Sequence, residues 1–303
     1  MYSAVLRTCA AFVFLFFASI LQSAQNSEEK PLHHDQPNED RVWLAVEEQA
    51  RGQLRIEPVA TVGDNELTPI QGSCVSYEET PEYFSEKYLQ PSTKYALLFG
   101  GASVGEGQIV EQNRAAGTAN LIYTGPQKIR GQVRALATSA QPGDFRVASR
   151  EPATVEQRAS ALALAREVFS QHGVPEVLLP KVRAEYVTRT YLAPSPQSSL
   201  IGSFSLDTGD DDELVHHLFF IASQPSEKLQ PEFLWIHLSE SATDEEMLRL
   251  VDHADLFRNG KDEVVAKLVS VETQSHRYVI FRRTRDGAHW EQIFKTEPLG
   301  CSS

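Results

Sequence analysis

The sequence predicts an α+β fold rich in β-strand, built mainly from antiparallel strands and hairpins, with one prominent helix near residues 153–172. Three observations lead there. Short runs such as VWLAV, QLRIEPVATV, KYALLF and GQIVEQ are rich in strand-forming residues and are separated by turn signals such as Gly63-Asp64-Asn65 and Gly100-Gly101. One long stretch, ATVEQRASALALAREVFSQHG, has helical spacing instead. No repeat of fixed period runs through the chain, which argues against a solenoid.

The chain opens on a leader. Arg7 precedes an apolar run from Ala10 to Leu21, and Gln22, Ser23 and Ala24 follow. A charged start, a short apolar core and a small-residue cleavage site are what the export machinery reads, so residues 1–24 are expected to be a signal peptide cleaved after Ala24. A secreted or periplasmic location follows. The alternative is an uncleaved leader that anchors the protein, although the apolar run is shorter than the roughly 20 residues of a bilayer span. No membrane span is expected after cleavage. Residues 25–41, with NSEEKPLHHDQPNED at their centre, lack periodicity and read as a disordered spacer.

An N-terminal β-rich domain is expected over residues 42–150. Within it a short helix interrupts the strands, with Thr80 as its cap, Pro81 in its first turn and Tyr83, Phe84 and Tyr88 toward the core. Further strand-like segments lie at 121–123, 129–137 and 145–148. Pro152 then introduces the long helix. Thr154 and Gln157 have capping-box spacing, Val155, Ala159, Leu162 and Phe169 recur at near-helical intervals, and Gly173 can end it. This change of character opens a C-terminal α+β domain, 151–303. Its strands are read from VRAEYVTRTYL, LIGSFSL, ELVHHLFFIA, FLWIHL, VVAKLVSVET, RYVIFRR and HWEQIFKT. Thr243 with Glu246 predicts a second short helix through Leu250, and Asp286-Gly287 predicts a hairpin.

Charge narrows the partners. The chain carries 28 basic and 41 acidic residues, a formal charge of −13 that becomes about −14 without Arg7. A polyanion would be repelled, and the basic residues form no stripe, so nucleic acid is excluded as a partner. The expected partner is a protein or a small molecule. Cys74 and Cys301 remain after cleavage and can form a disulfide in an oxidising compartment, tying the C-terminus to the first domain.

Catalytic motifs fail on their surroundings. Gly101-Ala102-Ser103-Val104-Gly105 has the G-x-S-x-G form of a nucleophile elbow, which makes a serine hydrolase using Ser103 the alternative function. An elbow needs a helix after the serine, and EGQIVEQ reads as a strand leaving a glycine-rich hairpin. Gly100 and Gly105 have P-loop spacing, but Glu106 and Gly107 stand where Lys and Ser/Thr belong. Asp207-Thr208-Gly209 has the form of an aspartic-protease motif but runs into Asp210 to Glu213, as an exposed turn does. His216 and His217 sit on one strand and so point to opposite faces.

One loop has cation chemistry. In LVDHADLFRNGKDEVVAKL, oxygen donors recur at Asp255, Asn259, Asp262 and Glu263 around the Asn259-Gly260 turn, just before a strand. The loop resembles the calcium loops of integrin-type FG-GAP repeats, whose pattern is close to D-x-D-x-D-G-x-x-D/E. The resemblance implies a structural Ca2+ held by Asp255 as first ligand, Asn259 at the fifth position and Glu263 as last ligand, with Gly260 at the bend. Phe257 stands at the third position, where the pattern has an oxygen donor, and Asp252 is the residue able to replace it. From sequence the protein is thus an exported binding or structural module rather than an enzyme.

Overall fold

The computed structural model describes residues 41–49, 53–63, 66–70, 81–124, 134–140, 149–209, 214–224, 228–287 and 289–299. The leader, residues 25–40 of the expected spacer, Thr80, the strand-like segment at 145–148, Cys74 and Cys301 lie outside them, whereas Arg41, read as the end of the spacer, is the first residue of a strand. Residues 40–303 form one compact unit. It is β-rich and antiparallel, with two α-helices among the described residues. No helix of the described residues is long and apolar enough to cross a membrane.

Seven strands come first: β1 (Arg41–Glu48), β2 (Leu54–Gly63), β3 (Glu66–Pro69), β4 (Lys94–Phe99), β5 (Ala102–Asn113), β6 (Thr118–Thr124) and β7 (Arg134–Thr138). Six of them close into a barrel in the order β1-β7-β4-β5-β6-β2, sealed by β1 pairing with β2, while β3 adds to the far side of β2. Alternation along β1 explains its unbroken apolar run. Val42, Leu44 and Val46 fill the barrel with Ile56, Leu97, Ile109 and Leu121, whereas Trp43 and Ala45 face outward into a second core. The short helix α1 (Pro81–Tyr88) adds Phe84 to the barrel core.

The rest of the chain makes two stacked sheets. The second has the order β12-β11-β10-β9-β8, from β8 (Glu151–Pro152), β9 (Arg183–Tyr191), β10 (Ser198–Asp207), β11 (Val215–Ser223) and β12 (Gln230–His237). The third is the meander β13 (Glu246–Ala254), β14 (Glu263–Ser270), β15 (Ser275–Arg283) and β16 (Trp290–Lys295). The predicted long helix is α2 (Val155–Gln171), and its capping box forms: the Gln157 N–H donates to Thr154 Oγ1 at 3.2 Å and the Thr154 N–H to Gln157 Oε1 at 3.0 Å. Its buried face, including Leu164, Val168 and Phe169, packs with Phe204, Leu218 and Phe220 of the second sheet.

The third sheet is the middle layer and is apolar on both faces. Leu248, Leu250, Val264, Ala266 and Phe281 pack against Ile201, Phe219 and Ile221 of the second sheet. Val251, Val265, Tyr278 and Ile280 pack against Trp43, Val59 and Leu98 of the barrel. This double burial corrects the helix predicted from Thr243 to Leu250. Residues 246–254 form strand β13, paired with β14 along its length, because both faces of EMLRLVDHA have an apolar layer to meet.

Candidate anion site at the junction of three sheets

The β4–β5 hairpin reaches from the barrel into the junction. Its turn, Gly100 and Gly101, has φ of 62° and 76°, the left-handed region that glycine tolerates. A Cβ on Gly100 would lie 2.5 Å from the Arg150 backbone nitrogen, so only glycine lets the turn come this close. Asp252 of β13 holds it: the Gly100 N–H donates to both carboxylate oxygens, at 3.1 and 2.9 Å. On the other side the Ser149 N–H donates to the Gly100 carbonyl at 3.0 Å. Burial raises the Asp252 carboxyl above its ordinary pKa, against the pull of the Arg150 and His253 charges and the backbone N–H bonds from Gly100 and His253.

A buried polar chain completes the junction. Ser149 Oγ lies 2.9 Å from Thr190 Oγ1, and Thr190 Oγ1 lies 2.6 Å from His253 Nε2. Asp262 Oδ2 is 3.3 Å from His253 Nδ1 and accepts the Ala193 N–H at 2.8 Å. Thr190 and His253 are fully buried, so this chain cross-links the segment beside the barrel turn to β9 and β13. A cavity of about 170 Å³ opens beside it, lined by Gly100, Gly101, Ser149 and His253 among others.

On the other side of Arg150 lies a larger cavity, about 350 Å³, lined by Arg134, Arg150, Glu185, Tyr186, Thr188 and Arg249. Each arginine arrives from a different part of the chain. Arg134 begins β7. Arg150 follows Ser149, stacks its guanidinium 5.0 Å from the Phe99 ring centre, and donates from Nη1 to the carbonyls of Arg134 at 3.1 Å and Val251 at 2.9 Å. Its Nη1 is 3.5 Å from Asp252 Oδ1. Arg249 projects from β13, with Nε 2.8 Å from Met247 Sδ.

Two β-bulges shape the strands around this cavity. In β13, Leu250 pairs with Ala266 and Asp252 with Val265, so Val251 is the extra residue, and its carbonyl is the one Arg150 engages. In β9, Tyr186 pairs with Ser203 and Ala184 with Phe204, which leaves Glu185 as the extra residue. A bulge breaks the strict alternation of side chains, and so Glu185 and Tyr186 can line the same cavity although they are adjacent. The Tyr186 hydroxyl accepts the Leu250 N–H. Burial pushes the phenol up to about 12, while Arg134, Arg150 and Arg249 pull it down. Burial lowers the Arg249 pKa, helped by the like charge of Arg134 and opposed by Glu185.

Among the described residues, Arg134 and Arg249 have no carboxylate within ion-pair distance. Two incompletely neutralised guanidiniums and a third held in place thus share one concave space in an acidic protein. Guanidinium forks match carboxylate and phosphate oxygens, so the arginine side of this lining has the chemistry to meet an anion.

Of the residues singled out from sequence, Asp252 and Asp262 belong to this junction and the others sit elsewhere. Ser103 lies in β5 opposite Leu98, just past the Gly100-Gly101 turn, and a strand rather than a helix follows it, as the glycine-rich hairpin reading expects. That geometry lacks the sharp strand-to-helix turn a nucleophile elbow requires. His217 is buried with Nε2 2.7 Å from Glu245 Oε1, whereas the Nδ1 of half-buried His216 accepts the Ser239 N–H at 3.1 Å, so the two histidines do face apart.

In the 255–263 loop the proposed calcium ligands serve the loop itself. Asp255 accepts the N–H groups of Asn259 at 2.9 Å and Gly260 at 2.7 Å, and Asn259 Oδ1 accepts from Lys261 at 3.0 Å. Asp262 turns to Ala193 and His253. Glu263 is buried, accepting the Leu256 N–H at 3.0 Å and Arg282 Nε at 2.9 Å, and burial pushes its carboxyl up to about 7. Phe257 is a core residue with the Arg282 guanidinium 4.0 Å from its ring centre, and Asp252 faces Gly100. Among the described residues no group of three or more His, Cys, Asp or Glu side chains is arranged to hold a metal. We expect Asp255→Ala to cost about 1–3 kcal/mol in the absence of calcium, because it leaves the Asn259 and Gly260 N–H groups without their acceptor, measured by denaturant melts.

No protein-family model, curated protein or solved structure matches this chain. Its functional reading rests on its own geometry.

Proposed function

We propose that this protein is an exported, non-catalytic binding module that takes a small anionic ligand in the cavity between β7, β9 and β13. The observation that carries the reading is the convergence of Arg134, Arg150 and Arg249 on one cavity, with Arg134 and Arg249 lacking a paired carboxylate among the described residues. The chain as a whole is acidic, at −13, so long-range steering disfavours anions and the local arginines must supply the attraction. A cavity of about 350 Å³ suits a small molecule and not a polymer. Leader composition supports the export part of the reading.

Thermal melts of the mature protein in inorganic phosphate and in glutarate test it. At 100 times Kd a ligand that binds only the folded state stabilises by about 2.7 kcal/mol. For a domain of this size that is a rise of about 5–10 °C. Arg249→Ala should abolish the rise, and Lys94→Ala, at an exposed position on the barrel, should keep it. Equal rises in wild type and Arg249→Ala would count against the cavity as the receptor.

A further inference from the structure

We propose that Glu185 makes the arginine cavity selective for a zwitterion, a small ligand carrying an ammonium group beside its acidic groups. The inference rests on the anion reading of the cavity. Three arginines without an acid would bind any compact anion most strongly, yet a carboxylate lines the same wall. It is there because of a specific feature of the backbone: the β9 bulge that makes Glu185 the extra residue opposite Ser203 and Phe204. Such bulges re-aim a side chain at the cost of a broken ladder.

Glu185 is also not consumed by the arginines. Its Oε1 accepts the Ser205 hydroxyl at 2.6 Å, a neutral partner, and among the described residues no ion pair joins it to Arg134, Arg150 or Arg249. Glu185 is exposed, which puts its charge at the mouth, while Arg150, with a side chain 14% exposed, stands further in. One negative and three positive groups thus line one space without cancelling one another by contact. A ligand with acidic groups toward the guanidiniums and an ammonium toward the Glu185 carboxylate satisfies both ends. A simple anion would meet the arginines but be repelled at the mouth.

Calorimetric titration of the mature protein with glutarate and with glutamate, which differ by one ammonium group, is the test. Wild type should bind glutamate at least tenfold more tightly than glutarate. Glu185→Gln should bring the ratio close to one by weakening glutamate, with glutarate held or tightened and the melting temperature unchanged. Equal binding of the two in wild type, or a ratio that survives Glu185→Gln, overturns the inference. If phosphate and glutarate bind through Arg249 while the ratio is one, selectivity for a zwitterion falls and the anion site stands. If neither phosphate nor glutarate binds, the anion reading falls and this inference with it.

Discussion

Glu57→Gln is expected to destabilise the folded protein by about 3–5 kcal/mol, the cost typical of removing one partner from a buried ionic cluster. Glu57 is an acidic residue in the apolar strand β2, almost wholly buried where the barrel meets the third sheet. Its Oε2 lies 2.7 Å from His276 Nε2, accepts the Tyr278 hydroxyl at 2.6 Å and is 3.5 Å from Lys267 Nζ, while Oε1 is 3.2 Å from Arg55. Burial alone would raise the carboxyl. The His276 hydrogen bond, the Lys267 and His276 charges and the Tyr278 bond outweigh it and hold Glu57 well below the usual carboxylate range. Burial and the Glu57 charge raise the Tyr278 phenol in turn.

The direction of the pH effect follows. A carboxyl with a depressed pKa in the folded state contributes stability that is present above its unfolded pKa, about 4.5, and is lost as pH falls below that. Wild type should therefore lose stability more steeply than Glu57→Gln below about pH 4.5, so that the gap between them narrows toward acid. At neutral pH the variant should melt on the order of 10 °C lower. Thermal melts from pH 3 to 7 read both effects. Parallel curves would mean that Glu57 is held by packing and not by charge.

Local chemistry made some of this fold legible and left the rest hidden. The α2 helix was readable because Thr154 and Gln157 are close in sequence and satisfy each other's N–H groups. The Gly100-Gly101 turn was readable because its glycines are needed for positive φ. Strand β13 was misread for a physical reason: Thr243 and Glu246 have capping-box spacing ahead of an apolar run, but both faces of that run are buried between two sheets, which a strand satisfies. Closure of the barrel depends on β1 pairing with both β2 and β7, and no local signal marks a partner some 90 residues away. The arginine cavity is hidden in the same way. Arg134, Arg150 and Arg249 read as scattered surface charge, and only Arg249, alone among Met247, Leu248, Leu250 and Val251, carries a hint that its strand has a polar neighbour to meet. The acidic loop was legible as a tight turn, because Asp255 and Asn259 accept backbone N–H groups of the loop itself.

Asp252→Ala is expected to lower both stability and anion affinity, because one carboxylate ties the hairpin of the barrel to the arginine of the cavity. Removing it leaves the Gly100 N–H without either of its acceptors and Arg150 without its counter-charge, in a place where Asp252 itself is 0% exposed. A loss of about 3–5 kcal/mol is expected. Asp252→Asn separates the two roles. The amide oxygen still accepts the Gly100 N–H, and a neutral group escapes the burial that raises the aspartate, so the loss should stay below about 2 kcal/mol. Anion binding should then diverge between the variants. In Asp252→Ala the Gly100 turn is released as well, the junction loosens around Arg150, and glutarate binds more weakly. In Asp252→Asn the backbone carbonyls of Arg134 and Val251 still hold Arg150, its charge is no longer neutralised from behind, and glutarate binds as tightly as in wild type or more so. Denaturant melts and calorimetry with glutarate read the two effects. Equal losses of stability in Ala and Asn would show that the charge pair, and not the acceptor for Gly100, holds the junction. Weaker glutarate binding in Asn than in wild type would show that Asp252 orients Arg150 by its charge, so that the fold stabilises the cavity through the same ion pair that reduces its attraction for anions.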